Sequence, residues 1–134
     1  MIMDGQKTNK YKPLENLWIW QEAGELHRLI NILLKDLKGT LYSNSQIVRS
    51  SQSVCNNLAE MHGAYYFTAK KNSLRIARKE ASKIIKHIEE FKDKQTWDNS
   101  ACDELTGRYK RLIFGINQYV VYINKIKGKL KTKK

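Results

Sequence analysis

Proline is almost missing from this sequence: Pro13 stands alone among 134 residues, alongside only seven glycines. So few turn-formers argue against an all-β fold, which needs punctuation between many short strands. Cysteine is nearly as scarce. Cys55 and Cys102 are isolated, with no CxxC pair, which points away from a disulfide framework and towards a reducing cytoplasm. No apolar run approaches the roughly 18–20 residues of a membrane span. Residues 1–12 are polar and lack the apolar stretch of a signal peptide. Negative charge is also short: 13 Asp and Glu face 25 Lys and Arg, a formal net charge of +12. A chain of this length holds one core, and a domain this basic typically faces a polyanion: nucleic acid, an anionic membrane surface or an acidic protein.

What is present is hydrophobic periodicity. Ile19, Ala23, Leu26, Ile30, Leu33 and Leu37 recur at alternating steps of three and four. So do Leu105, Tyr109, Leu112, Ile116, Tyr119, Ile123 and Ile126. Phe67, Leu74, Ala77, Ala81, Ile84, Ile88 and Phe91 keep the rhythm with a gap at Lys70, and Ile47, Val54, Leu58, Met61 and Tyr65 form a thinner stripe with Ser51 in one slot. That spacing gathers each set on one helical face. Four amphipathic helices in one small chain make an all-α, antiparallel up-down four-helix bundle. Boundary signals agree. Gly39 can end the first helix. Ser43 and Gln46 have capping-box spacing, flanked by Tyr42 and Ile47 as a hydrophobic staple. Gly63 breaks the chain, Thr68 is a candidate cap for the third helix, and Asp98, Asn99 and Ser100 offer caps for the fourth after a short loop through Trp97. Gly128 marks the expected fraying point. The expected organisation is a flexible N-terminus over 1–13, a bundle over 14–127 and a basic C-terminal tail over 128–134.

Catalytic and metal chemistry find no constellation. A di-metal bundle needs Glu with His three residues later, and no Glu here has one. Glu60 and His62 diverge on a helix, and His87 and Glu90 stand alone. His27, His62 and His87 lie on separate stretches, so none has convergent ligands. Cys55 lies near Ser50, Ser51 and Ser53, but nothing adjacent would lower its pKa, and a helical Cys is ordinarily a small buried hydrophobe. The pairs Glu89–Glu90 and Asp103–Glu104 diverge. No phosphate-cradling glycine loop or GxSxG elbow occurs. The expectation is therefore a non-enzyme with no cofactor and no metal.

The cations are better organised. Lys71, Arg75, Lys79 and Lys83 fall at steps of four, flanked by Lys70, Arg78 and Lys86 and only partly interrupted by Glu80, Glu89 and Glu90. Such a stripe repels itself, and a polyanion would relieve it. A second basic element follows Lys125: Lys127, Lys129, Lys131, Lys133 and Lys134. The first helix, by contrast, nearly balances Glu15, Glu22, Glu25 and Asp36 against Arg28, Lys35 and Lys38. This asymmetry points to one binding face. Trp18 and Trp20 flank Ile19, so at least one of them lies on an outer face, where it suits a subunit interface. Tyr65, Tyr66, Tyr119 and Tyr122 read as core rims without a function.

Residues 46–60, QIVRSSQSVCNNLAE, resemble the "QLRRAxxSIxxNIAEG" signature of the four-helix-bundle proteins encoded in intervening sequences of bacterial large-subunit rRNA genes, the S23 family. Gly63, Leu74, Ile76 and Ala77 fall where that family has its "GR…FLxIAxGS" segment, and residues 17–26, LWIWQEAGEL, are similar to its "LxVWQxAxEL" opening. The chain departs from the pattern at Met61, Ala64 and Lys79-Glu80. The resemblance spans roughly residues 14–125. It implies a closed homo-oligomeric ring, a homopentamer among the forms, and a fold shared with the basic accessory variability proteins of diversity-generating retroelements, which bind a reverse transcriptase together with nucleic acid. The matching positions are Arg49, Ser53, Asn57, Ala59 and Glu60. On a helix, Asn57 and Glu60 are placed to fix a helix–helix contact through buried hydrogen bonds.

The expectation is a cytoplasmic, non-catalytic, homo-oligomeric bundle that binds structured RNA or DNA through Lys71, Arg75, Arg78, Lys79, Lys83 and Lys86, helped by Lys129, Lys131, Lys133 and Lys134, with no membrane partner. Arg49, Ser53, Asn57 and Glu60 are structural positions of the family motif. The alternative is a protein-interaction adaptor, such as the accessory partner of a reverse transcriptase.

Overall fold

Each apolar stripe needs a partner surface, and in the structure, a computed structural model, the four stripes meet in one core. Residues 13–35 and 46–132 are described, with side chains as far as Lys129. A short 3-10 turn, Leu14–Asn16, leads into α1 (Trp18–Lys35), α2 (Gln46–Gly63), α3 (Phe67–Asp93) and α4 (Asn99–Thr132). There is no strand among the described residues. α1 packs on α2, α2 on α3, α3 on α4 and α4 back on α1, so the helices close an up-down four-helix bundle. Cross-helix pairs set the antiparallel sense. Arg78 meets Asn117 and Lys92 meets Asp103 between α3 and α4. Glu22 meets Arg108 between α1 and α4.

The core holds Ile19, Ala23, Leu26 and Ile30 from α1, Ile47, Val54, Leu58 and Met61 from α2, Leu74 through Ile88 at the expected steps on α3, and Leu105, Tyr109, Leu112, Ile116 and Ile123 on α4. Some expectations shift. On α1, Leu34 rather than Leu33 takes the buried slot, because a straight helix of 3.6 residues per turn drifts against a 3.5 repeat. Leu37, Gly39, Tyr42 and Ser43, with the proposed capping box, lie outside the described residues. So do residues 1–12 and the side chains of Lys131, Lys133 and Lys134. α2 ends at Gly63, so Tyr65 falls beyond it and is exposed instead of joining the stripe. Thr68 is not the cap of α3: the helix begins at Phe67 behind an extended Tyr66 that makes no side-chain cap bond. Asp98 does cap α4, accepting from the Ser100 N–H at 2.9 Å. α4 does not fray at Gly128; its backbone stays helical to Thr132. Before it, α3 closes with Thr96 N–H donating to the Phe91 carbonyl and Gln95 N–H to Lys92. Gln95 takes the left-handed conformation, φ 56°, at a site where glycine is the usual choice. Trp97, expected in a loop, is buried against Phe91 with ring centroids 4.6 Å apart.

Three polar ties fix the helices on one another. Asn31 Nδ2 donates to His27 Nε2 at 3.2 Å, so His27 Nδ1 carries the proton and donates to Ser51 Oγ at 2.6 Å. Ser51 Oγ donates onward to the Val48 carbonyl at 3.0 Å. That chain joins α1 to α2 and requires a neutral ring, and burial lowers the His27 pKa from 6.5. Arg108 grips Glu22 with two parallel bonds of 2.8 Å, joining α4 to α1. Lys70 fills the gap in the α3 stripe: its Nζ donates to the Met61 and His62 carbonyls at 3.0 and 3.3 Å, satisfying the end of α2. α1 and α4 also approach over Gly115, where an added Cβ would stand 2.5 Å from Trp18 Cζ3 and 3.0 Å from Ile19 Cγ2. Glycine is the residue that lets Trp18 lie against the α4 backbone there.

The Tyr109 hydroxyl is buried and has no hydrogen-bond partner among the described residues, so Tyr109→Phe leaves stability unchanged or raises it by up to about 1 kcal/mol. Leu112→Ala costs about 2–5 kcal/mol, and urea unfolding separates the two. His27 contributes stability that is present above its unfolded pKa and is lost as pH falls below 6.5. The wild type therefore weakens relative to His27→Gln between about pH 7 and 5, measured as the difference between their thermal midpoints; a constant difference contradicts the assignment.

Candidate nucleic-acid interface

The α3 core residues fix which way its cations point. With Leu74, Ala77, Ala81, Ile84 and Ile88 turned inward, 100° per residue carries Arg75, Lys79 and Lys86 to the opposite arc and leaves Lys71 and Arg78 on its flank, half-buried. Three of them converge. Lys71, Arg75 and Arg78 line an open groove of about 320 Å³ together with Thr68, Asn72 and Val120 of α4. Arg78 Nη1 donates to Asn117 Oδ1 at 2.8 Å, which holds its guanidinium against α4. Arg75 donates to the Asn72 side chain on its own helix. Both acceptors are neutral amides, so both guanidinium charges stay unneutralised. Lys71, Arg75, Arg78, Lys79 and Lys86 have no carboxylate partner among the described residues.

The other expected cations separate from this group. Lys83 is exposed on the outer arc but lies 3.3 Å from Glu80, which offsets its charge. Lys70 is not part of the basic face, since its ammonium turns back to the carbonyls at the end of α2, and burial lowers its pKa. Lys129 is exposed on α4, so at least this part of the basic terminus extends from a helix rather than from a coil. α3 and α4 are antiparallel, so the start of α3 and the last turns of α4 share one end of the bundle.

The family-motif positions lie apart from the interhelical contacts. Asn57 Nδ2 donates to the Ser53 carbonyl at 2.9 Å and to Ser53 Oγ at 3.2 Å, within its own helix. Glu60 and Arg49 are exposed. The expected interhelical bond through Asn57 and Glu60 does not form; their spacing puts them beside the α2 core face, not on it. The ties between helices come instead from Glu22–Arg108 and His27–Ser51. Sequence patterning missed Asn117 and Val120, because their role depends on which α4 turn lies beside α3, and it passed over Thr68 and Asn72, which share the α3 face of Lys71 and Arg75 at steps of three and four.

Among the described residues, no three His, Cys, Asp or Glu side chains gather as metal ligands. His27 is committed to Ser51 and Asn31, and His87 lies 3.9 Å from Glu90. Burial pushes the Cys55 thiol up to about 11, which keeps it protonated and weakly nucleophilic at neutral pH. No described helix is long and apolar enough to cross a membrane. A separate set of exposed apolar side chains lies on α4 and α1. Phe114 and Val121, 64% and 51% exposed, sit seven residues apart on one outer face of α4, and Trp18 is half-exposed beside Gly115.

A search of curated proteins finds no match. The bundle superposes on the crystal structure of a protein of unknown function from the S23 ribosomal protein family of Bacteroides thetaiotaomicron VPI-5482, with a TM-score of 0.67 and 18% identity, covering 76% of this chain and 94% of that one. At that identity the likeness concerns the fold. The model of the 23S rRNA-intervening sequence protein family matches residues 15–118, most of the bundle, and the chain belongs to that family.

Proposed function

We propose that this protein is a non-catalytic, cytoplasmic homo-oligomer that binds structured nucleic acid through the α3–α4 groove. One observation carries the reading: Lys71, Arg75 and Arg78 converge on one groove, with no carboxylate partner among the described residues. Cations gathered along one groove can each meet a phosphate, and each contact releases condensed counterions. Lys79 and Lys86 widen the contact, and Lys129 extends it along α4. The excess charge of the whole chain, +12, favours encounter with any polyanion; the groove supplies the specific footing. Self-association is supported by the Phe114–Val121 face, whose exposure has a cost that a second copy would offset. A closed ring, pentameric as the family resemblance implies, would repeat the groove and raise avidity without new contacts.

Anisotropy titration of a labelled hairpin RNA tests the groove. Three phosphate contacts alone weaken binding about 40-fold between 50 and 200 mM salt. Arg75→Glu with Lys79→Glu lowers affinity by about 100-fold or more with unchanged helical circular dichroism. A flat salt response, or unchanged affinity in the reversed variant, contradicts phosphate contact. Light scattering tests the assembly: the wild type is a multiple of the monomer mass, and Phe114→Asp with Val121→Asp reduces it to a monomer.

A further inference from the structure

Tyr65 and Tyr66 are the most exposed of the large hydrophobic side chains, at 87% and 70%. They belong to the three-residue connection between α2 and α3, and that connection is held firmly. Ala64 N–H donates to the Met61 carbonyl, Lys70 N–H to the Tyr66 carbonyl, and Lys70 Nζ bridges Met61 and His62 across its base. The two rings meet edge to face, with centroids 4.9 Å apart and planes at 89°. That arrangement spends one ring edge on the other ring's face and leaves the remaining ring surface to solvent.

Their position gives the pair a use. Tyr66 precedes Thr68, the first residue of the groove wall, by two positions, and Lys71 follows within about one turn and a half. From Met61 to Lys79 the sequence contains no acidic residue but five cations, Lys70, Lys71, Arg75, Arg78 and Lys79. Exposed aromatic faces beside an unneutralised cationic track are the two elements of single-strand recognition: cations follow the phosphates and rings stack on the bases. A duplex hides its base faces, whereas the loops of a structured RNA splay theirs out.

We infer that Tyr65 and Tyr66 form a stacking platform for unpaired nucleobases, placed so that a strand whose phosphates lie in the α3–α4 groove delivers its bases to the two rings. This rests on the nucleic-acid reading of the groove and adds a preference for unpaired over fully paired ligands.

The test compares a labelled single-stranded oligothymidylate of about 12 nucleotides with a blunt duplex of the same length, using the full-length chain at one fixed salt concentration. Tyr65→Ala with Tyr66→Ala weakens single-strand binding about tenfold or more and leaves duplex binding and the salt slope unchanged. The Tyr65→Phe with Tyr66→Phe variant keeps single-strand affinity, because the ring and not the hydroxyl makes the contact. Equal losses for strand and duplex, or no loss for either, overturn the platform while leaving the groove standing. Loss of binding to phosphatidylserine vesicles with no change for the single strand overturns it too, in favour of a membrane role for the rings. Absence of salt-dependent binding by the wild type removes the groove itself.

Discussion

Burial of a single apolar stripe on α3 governs most of what this molecule presents to solvent. Leu74, Ala77, Ala81, Ile84 and Ile88 are each fully buried, and together they leave α3 one rotational setting. Turning the helix by one residue, 100°, would drag Arg75 or Lys71 towards the core at the cost of an unpaired buried charge. Apart from Lys70, whose ammonium reaches the carbonyls at the end of α2, the cations therefore occupy the outer arc and its flank because the core forbids any other setting. Long-range repulsion among them is the tolerated consequence, and at a few tenths of a kcal/mol per pair it is small against the roughly 1.5–3 kcal/mol gained for each large side chain buried.

The remaining helices are positioned relative to that setting by directional bonds. Hydrophobic contact is permissive about sliding and rotation, whereas the bidentate Glu22–Arg108 pair and the His27–Ser51–Val48 chain are not. Gly115 adds a steric version of the same control, since Trp18 can lie on α4 only where there is no Cβ. With α4 fixed against α1 in this way, Asn117 falls beside Arg78 and Val120 supplies the groove's α4 wall. The basic groove is thus a product of packing on the far side of the bundle as well as of its own charges.

The fold was legible in the sequence because its signal is periodic and local. Steps of three and four residues named nearly every core position, and the motif around Ser53 and Asn57 placed the chain in its family. Failures cluster where the answer depends on a neighbouring helix or a chain end. Lys70 looked like one more cation of the stripe, yet its slot faces inward, and its ammonium finds two carbonyls that only the folded α2 terminus provides. Asn57 and Glu60 looked like interhelical residues, but Asn57 bonds within its own helix. Tyr65 kept the stripe's rhythm past Gly63, and no periodicity rule detects that the helix has already ended. For the groove, the α3 side was readable from Lys71, Arg75 and Arg78, but the α4 side was not, since nothing local marks Asn117 as the partner of Arg78.

The central claim is that position, not total charge, makes the binding face. Its most direct measurement compares two triple variants that each lower the net charge from +12 by three. One carries Lys71→Gln, Arg75→Gln and Arg78→Gln in the groove. The other carries Lys35→Gln, Lys94→Gln and Arg111→Gln at exposed sites away from it. Titrated with the same hairpin RNA at one salt concentration, the groove variant loses most of its affinity and the second variant keeps nearly all of it. Equal losses in the two would contradict the account, reducing the interface to a diffuse field of positive charge.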